Sequence, residues 1–184
     1  MKKILAFGAS SSKKSINRIF ANYIANRIND AEVTLLDLND FEMPIFNVDR
    51  ENESGIPAEA LKFKQLIEEH DAVVVSFAEH NGSYSTAFKN ILDWTSRLDG
   101  PLWDNKPMFA VASSPGGRGG ATVLGLALTY FPFLKANVIA SFSLPSFYNN
   151  FSEKDGIINP ELKIAFEEQL EKFGSHLETP QTIS

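Results

Sequence analysis

A doubly wound α/β domain is the fold class this sequence predicts, and three observations carry that prediction. Short apolar runs alternate with segments whose apolar residues recur every three or four positions, the patterns of strand and helix. The run from Asp71 to Ala78 holds Val73, Val74 and Val75 without polar alternation, as a strand buried on both faces of a parallel sheet should. Finally, 184 residues of which 43% are hydrophobic suffice for one domain with a two-faced core and are too apolar for disorder.

The first strand is Ile4–Phe7, ending at Gly8-Ala9-Ser10. A helix over 15–29 follows, with Ile16, Ile19, Phe20, Tyr23, Ile24 and Ile28 on its apolar side. Val33, Leu35, Leu36 and Leu38 mark the second strand. Residues 41–56 read as a Pro- and Asn-containing loop, long enough to be functional. A helix over 58–69 presents Ala60, Leu61, Phe63, Leu66 and Ile67. The third strand spans 71–78, and the helix after it (84–98) turns Ala87, Phe88, Ile91, Leu92 and Thr95 inward. Pro107 opens the fourth strand, Met108 to Ala112. Glycine-rich residues 116–120 lead into an apolar helix from Thr122 to Leu134, which Pro132 must end or kink. Val138 to Leu144 is the fifth strand, followed by a loop rich in Phe, Tyr and Asn. A last helix runs from Pro160 to about Leu177. The expectation is one domain over 1–178 with a frayed tail at 179–184.

Composition narrows the chemistry. The absence of cysteine excludes disulfides, thiolate metal sites and a cysteine nucleophile. With 17 Lys+Arg against 23 Asp+Glu, the net charge of -6 argues against nucleic acid, whose phosphates call for a basic face. No apolar run has the length of a membrane span, and the apolar stretch after Met1-Lys2-Lys3 reads as a strand rather than a secretory signal. A cytoplasmic protein is expected. No His/Asp/Glu grouping has metal-ligand spacing, so no metal site is predicted.

In such sheets ligands sit beyond the carboxyl ends of the strands, where strand order reverses. After the first strand the chain reads Ser10-Ser11-Ser12-Lys13-Lys14-Ser15-Ile16-Asn17 and enters a helix, a combination suited to phosphate. The alternative is that Ser15 only caps the helix. The loop matches neither the dinucleotide fingerprint nor the nucleoside-triphosphate loop. After the third strand comes Ala78-Glu79-His80-Asn81-Gly82-Ser83, where Asn81-Gly82 also fits a tight turn. After the fourth comes Ser113-Ser114-Pro115-Gly116-Gly117-Arg118-Gly119-Gly120. Its glycines either let backbone approach a flat ligand or form a hinge.

Together the three loops resemble the NADPH-dependent FMN reductase family. Ser10, Ser15 and Asn17 fall on the family's first-loop positions. Glu79, Asn81, Ser83, Lys89, Asn90, Asp93 and Trp94 match its second loop and the helix after it. Met43-Pro44-Ile45-Phe46 with Asp49 looks like its segment after the second strand. Four positions depart from the pattern: Ser12 stands where the family has Arg, Ala78 and Ser85 where it has Pro, and His80 where it has Tyr.

The resemblance implies a flavodoxin-like three-layer sandwich with a five-stranded parallel sheet of order 2-1-3-4-5. It implies FMN as cofactor, held at its phosphate by Ser10, Ser12, Lys13, Ser15, Ile16 and Asn17, with Lys13 or Lys14 supplying the charge of the family Arg that Ser12 replaces. Ala78, Glu79, His80, Asn81, Gly82 and Ser83 would line the isoalloxazine, and Ser114, Gly116, Gly117 and Gly119 would meet its pyrimidine edge. NADPH or NADH would reduce the flavin, and a quinone, flavin, azo compound or similar acceptor would reoxidise it. A homodimer or homotetramer is implied, its pocket completed across subunits by the 43–49 segment. A non-catalytic FMN electron carrier or redox sensor is the alternative.

The cofactor carries this chemistry, so no catalytic side chain is required; His80 is the one candidate proton donor. His70 is expected to be structural and His176 solvated. Asp93 and Arg97 are expected to pair on one helix. Trp94 belongs to the core or to a subunit interface, and Phe147 and Tyr148 to a substrate pocket or a subunit surface. Arg118 meets a nicotinamide nucleotide phosphate or solvent.

Overall fold

The computed structural model describes residues 1–179. In chain order its elements are β1 (Lys2–Ala9), α1 (Ile16–Ala25), β2 (Ala31–Leu36), α2 (Val48–Ser54), α3 (Ala58–Glu68) and β3 (Ala72–Phe77). A small hairpin follows, β4 (Glu79–His80) and β5 (Ser83–Tyr84), and then α4 (Thr86–Thr95), β6 (Pro107–Ser113), α5 (Ala121–Tyr130) and β7 (Asn137–Leu144). A one-turn helix α6 (Phe147–Asn150), a second hairpin β8 (Phe151–Ser152) and β9 (Gly156–Ile157), and α7 (Pro160–Glu178) complete the chain. The main sheet is parallel, in the order β2-β1-β3-β6-β7, which is the expected 2-1-3-4-5 with β6 and β7 as fourth and fifth strands.

Strand pleat divides the core into two layers. Leu5, Phe7, Val73, Val75 and Ala110 face α3, α4 and α5, where Phe63, Phe88 and Phe131 meet them. Ile4, Ala6, Val74, Phe109 and Val111 face α1 and α7, against Phe20, Ile24, Phe166 and Phe173. Most of the fifteen phenylalanines serve these layers, as in the edge-on pair Phe7–Phe63 at 5.6 Å. Each full burial contributes roughly 1.5–3 kcal/mol. At Gly8 the backbone of α1 lies directly against β1: a Cβ there would fall on Arg18 N and within 2.7 Å of the Asn17 carbonyl carbon.

Several expectations change. The stretch 41–56 is no plain loop: a 3-10 turn spans Leu38–Phe41 and α2 follows, capped by the Asn47 side chain accepting from Arg50 N–H at 2.8 Å. Because α2 buries none of its residues, it leaves no apolar period to read. Its Glu51 takes Arg97 (2.9 Å), so Asp93 pairs with Lys89 instead (2.6 Å). The apolar helix stops at Tyr130, and a 3-10 turn over Phe131–Leu134 carries Pro132. The Phe/Tyr/Asn-rich loop contains α6 and the β8–β9 hairpin.

His70 is buried and structural, its ring bonded to the Leu66 carbonyl (2.6 Å) and Thr34 Oγ1 (2.8 Å). His176 is half-buried rather than solvated, and its Nε2 has no partner among the described residues. Trp94 belongs to the core: it is buried, donates from Nε1 to the Pro44 carbonyl (2.7 Å) and stands edge-on to Phe46. Of the expected tail, Thr179 closes α7 and residues 180–184 lie outside the described residues. Among the described residues no helix is long and apolar enough to cross a membrane.

Candidate functional site

The loops after β1, β3 and β6 converge at the carboxyl ends of the strands, where strand order reverses between β1 and β3. They enclose an open cleft of about 220 Å³ lined by Ser10, Ser12, Lys14, Ser15, Ile16, Asn17, Ala78, Glu79, His80, Ser113, Ser114, Pro115 and Tyr148. The larger cavity of about 820 Å³ lies at the opposite, amino end of the strands. Charged side chains that already pair with one another wall it, Arg27 with Glu167 (2.6 Å) and the N-terminus with Asp30 (3.1 Å).

The first loop folds on itself. Ser12 N–H donates to Ser10 Oγ (3.2 Å), Ser15 N–H to the Ser12 carbonyl (3.1 Å), and Arg18 N–H to Ser15 Oγ (3.2 Å). Ser15 is therefore the N-cap of α1. The amides of Ile16 and Asn17 keep no acceptor among the described residues, and both residues line the cleft at the positive end of the helix. Lys14 lines this cleft, whereas Lys13 lines a neighbouring recess with Arg18, Glu153 and again Lys14. Beside that recess the Asp37 carboxyl is held below its usual range, chiefly by accepting the Asn39 N–H, with Arg18 and Lys13 adding to it.

Asn17 has a second task. Its Oδ1 accepts from Ser76 Oγ (2.7 Å) and Ser113 N–H (3.1 Å), while its Nδ2 donates to the Ser113 carbonyl (3.2 Å). All three groups are buried, so this side chain ties α1 to β3 and β6 beneath the cleft. Ser85 likewise looks inward, donating to the Ala9 carbonyl at 2.8 Å and capping α4.

The second loop is the β4–β5 hairpin. Asn81 (φ 52°) and Gly82 (φ 74°) take the two positive φ values that a type I′ turn requires. They sit at its tip, beyond the cleft lining, and Ser83 opens onto a different groove. Ala78, Glu79 and the exposed His80 do line the cleft.

The third loop is fixed rather than hinged. Ser146 N–H and Ser114 Oγ both donate to the Gly116 carbonyl (2.9 and 3.2 Å), and Ser143 Oγ donates to that of Gly119 (3.0 Å). A Cβ on Gly119 would lie 2.8 Å from Pro145 N, so close packing explains this glycine. Gly117 has open space around it. Arg118 donates from Nη2 to Thr122 Oγ1 (2.8 Å), and Gly116, Gly117 and Gly119 are not among the cleft-lining residues. Of the two lysines considered for the phosphate, Lys14 is the one on the cleft, and Ser113 and Pro115 line it although the sequence gives them no role. Their signal was adjacency to the chosen serines, which does not say which neighbour a loop turns inward. Of the two candidate pocket aromatics, Phe147 is buried and Tyr148 is exposed on the cleft.

Chemically the cleft offers free helix amides, hydroxyls and one lysine at one end, and hairpin and serine-loop edges at the other. Its volume is below the roughly 300–1,000 Å³ of sites that enclose a whole ligand. It suits the anionic end of a larger molecule. Among the described residues no group of His, Asp and Glu is placed to hold a metal ion.

Comparison with known proteins gives the same picture. The sequence profile described as NADPH-dependent FMN reductase matches residues 2–149. The chain is 35% identical over 80 residues to a quinone reductase of Escherichia coli K12, a match covering 44% of this chain and 43% of that one. It is 31% identical over 121 residues to the 2-hydroxy-1,4-benzoquinone reductase of Burkholderia sp, 65% of this chain and 64% of that one. The aligned stretches thus span about two-fifths to two-thirds of these relatives. Among solved structures, the flavoenzyme NAD(P)H:(acceptor) oxidoreductase FerB from Paracoccus denitrificans shares the fold, with a TM-score of 0.75 at 23% identity over 97% of this chain and 98% of that one.

Proposed function

The chain belongs to the NADPH-dependent FMN reductase family, and from that premise we propose that it is an FMN-containing oxidoreductase passing electrons from NADPH or NADH to a quinone, azo or similar acceptor. One observation carries the reading. Three loops far apart in sequence meet at the switch point of the sheet and present unpaired helix amides there.

When bound, FMN supplies the centre that takes up and passes on an electron pair. The protein's part is to hold and orient it. The amides of Ile16 and Asn17, the Ser10 and Ser12 hydroxyls and the Lys14 ammonium fit a phosphate, and Ser15 keeps the turn in shape. Lys14 thereby takes the charge that Ser12 cannot supply, with Lys13 set behind it. Ala78, Glu79, His80 and Ser114 fit the rim beside a flavin ring, which so open a cleft leaves accessible to donor and acceptor in turn. His80 reaches solvent and is the candidate proton donor of that rim. A soluble nucleotide donor fits a cytoplasmic setting, and a net charge of -6 fits no nucleic-acid partner.

The test is titration of flavin-free protein with FMN, followed by NADPH or NADH without oxygen. The expected results are a bound-flavin absorbance band that either nucleotide bleaches, and roughly tenfold weaker FMN binding in Ser15→Ala. A protein that acquires no such band overturns the reading. A band that neither nucleotide bleaches points instead to an electron carrier.

The protein is also read as a homo-oligomer. α5 is apolar on all sides, leaving Leu126 and Tyr130 exposed beside Phe133, which is 77% exposed. These line a groove of about 580 Å³ with Tyr84, Leu92 and Leu102, edged by Lys89 and Asp93. The groove begins at Ser83 and Tyr84, in the hairpin that borders the cleft. Tyr84's hydroxyl has no partner among the described residues, and desolvation pushes its pKa to about 12. An apolar face of this kind is self-complementary about a two-fold axis, and the Lys89–Asp93 pair at its edge is closed within one chain. Sedimentation should give at least a dimer, and Phe133→Asp should give a monomer; a monomeric wild type would sink this assignment.

A further inference from the structure

α5 starts without a cap of its own. Its N-cap is Gly120, with φ 74° and no side chain. The first intrahelical bond runs from Leu124 N–H to the Gly120 carbonyl (3.1 Å), and two of the donors before it are met from outside the helix: Ala121 N–H by the Arg118 carbonyl (3.0 Å) and Val123 N–H by Oε2 of Glu79 (3.0 Å). Glu79 is 44 residues away, at the start of the β4–β5 hairpin opposite Tyr84. A carboxylate in this position accepts a bond and also places negative charge at the positive end of the helix.

Among the described residues this is the one side-chain hydrogen bond between the hairpin and α5, and it joins two rims of the cleft. The Gly-rich loop that precedes α5 is anchored from the other side through the Gly116 and Gly119 carbonyls. The hairpin tip also meets α5, since a Cβ on Gly82 would lie 3.8 Å from Thr122 Cγ2. Among the described residues no other hydrogen bond joins the hairpin to α5.

We propose that Glu79 is a positioning residue: its carboxylate, capping α5 at Val123, holds the β4–β5 hairpin at a fixed distance from the Gly-rich loop before a flavin binds. This rests on the FMN reading of the cleft. Without the strut, the spacing between hairpin and α5 rests on apolar packing, as of Tyr84 on Phe131, and tightening it when the ligand arrives is subtracted from affinity. Glu79 acts through backbone and does not act on the flavin itself.

The experiment compares wild type, Glu79→Ala and Glu79→Gln by amide hydrogen exchange of flavin-free protein and by FMN titration well below the melting temperature. In E79A, exchange over 121–124 is expected to quicken about tenfold and the FMN Kd to rise about tenfold. E79Q, whose amide oxygen can accept the same bond, is expected to restore both. Unchanged exchange in E79A overturns the proposal. So does faster exchange with unaltered Kd, or a loss in E79Q equal to that in E79A. If E79A does not fold, E79D, one methylene shorter, carries the same comparison. A wild type that takes up no FMN overturns the flavin reading, a failure told apart because the exchange arm needs no flavin.

Discussion

Gly8→Ala is expected to destabilise the fold by about 3 kcal/mol, the upper end of what overpacking costs. The added methyl would meet backbone, not the flexible end of a side chain: Arg18 N, and Arg18 Cα and the Asn17 carbonyl carbon at 2.7 Å. Relief requires α1 to move away from β1, and α1 carries Phe20, Ala21 and Ile24 into the core. For a domain of this size, thermal unfolding should begin roughly 6–12 °C lower. The displaced helix also carries the Ile16 and Asn17 amides, so ligand affinity at the cleft should fall with stability. A melting temperature within 2 °C of wild type would show that the helix does not sit where this packing puts it.

Asn17→Ala is expected to cost about 2–4 kcal/mol, because it abandons buried partners rather than an exposed contact. Ser76 Oγ loses its acceptor, and Ser113 loses the partner of its N–H and a donor to its carbonyl. Nothing in the sequence distinguishes this role from ligand binding, since an Asn two residues after a helix cap suits either. Comparison with Ser76→Ala separates the two. That variant removes one of the three bonds and should melt well above N17A, and equal melting temperatures would argue against the clamp. Any effect of N17A on FMN must therefore be measured at a temperature where the variant is fully folded.

The main sheet was legible because its physics is local and repetitive. The valines of β3 announce a strand buried on both faces, and the three-and-four spacing of α1 and α4 announces helices with one apolar side. The elements that the sequence leaves unmarked have no such period. α2 buries nothing, so only Asn47 and the acidic first turn of Asp49 and Glu51 mark it. The partner of Arg97, Glu51, lies on that helix, so this pairing is unmarked as well. The site was legible to the level of the loop: post-strand position singled out the three segments that converge. It was not legible to the level of the residue. Between Lys13 and Lys14 the sequence does not choose, and Lys14 is the one that lines the cleft; Gly116, Gly117 and Gly119 stand outside its lining.

The sequence by itself determined the class of fold, its strand order through the family resemblance, and the absence of thiol chemistry, since each follows from residue types and their spacing alone. Only the tertiary structure decided what Glu79, Asn17 and Gly119 do. Each is committed to a partner 24 to 96 residues away, Glu79 to Val123, Asn17 to Ser113 and Gly119 to Ser143. Spacing along a chain encodes the face a side chain occupies on its own element. It carries no record of which buried donor elsewhere in the fold is left needing that side chain.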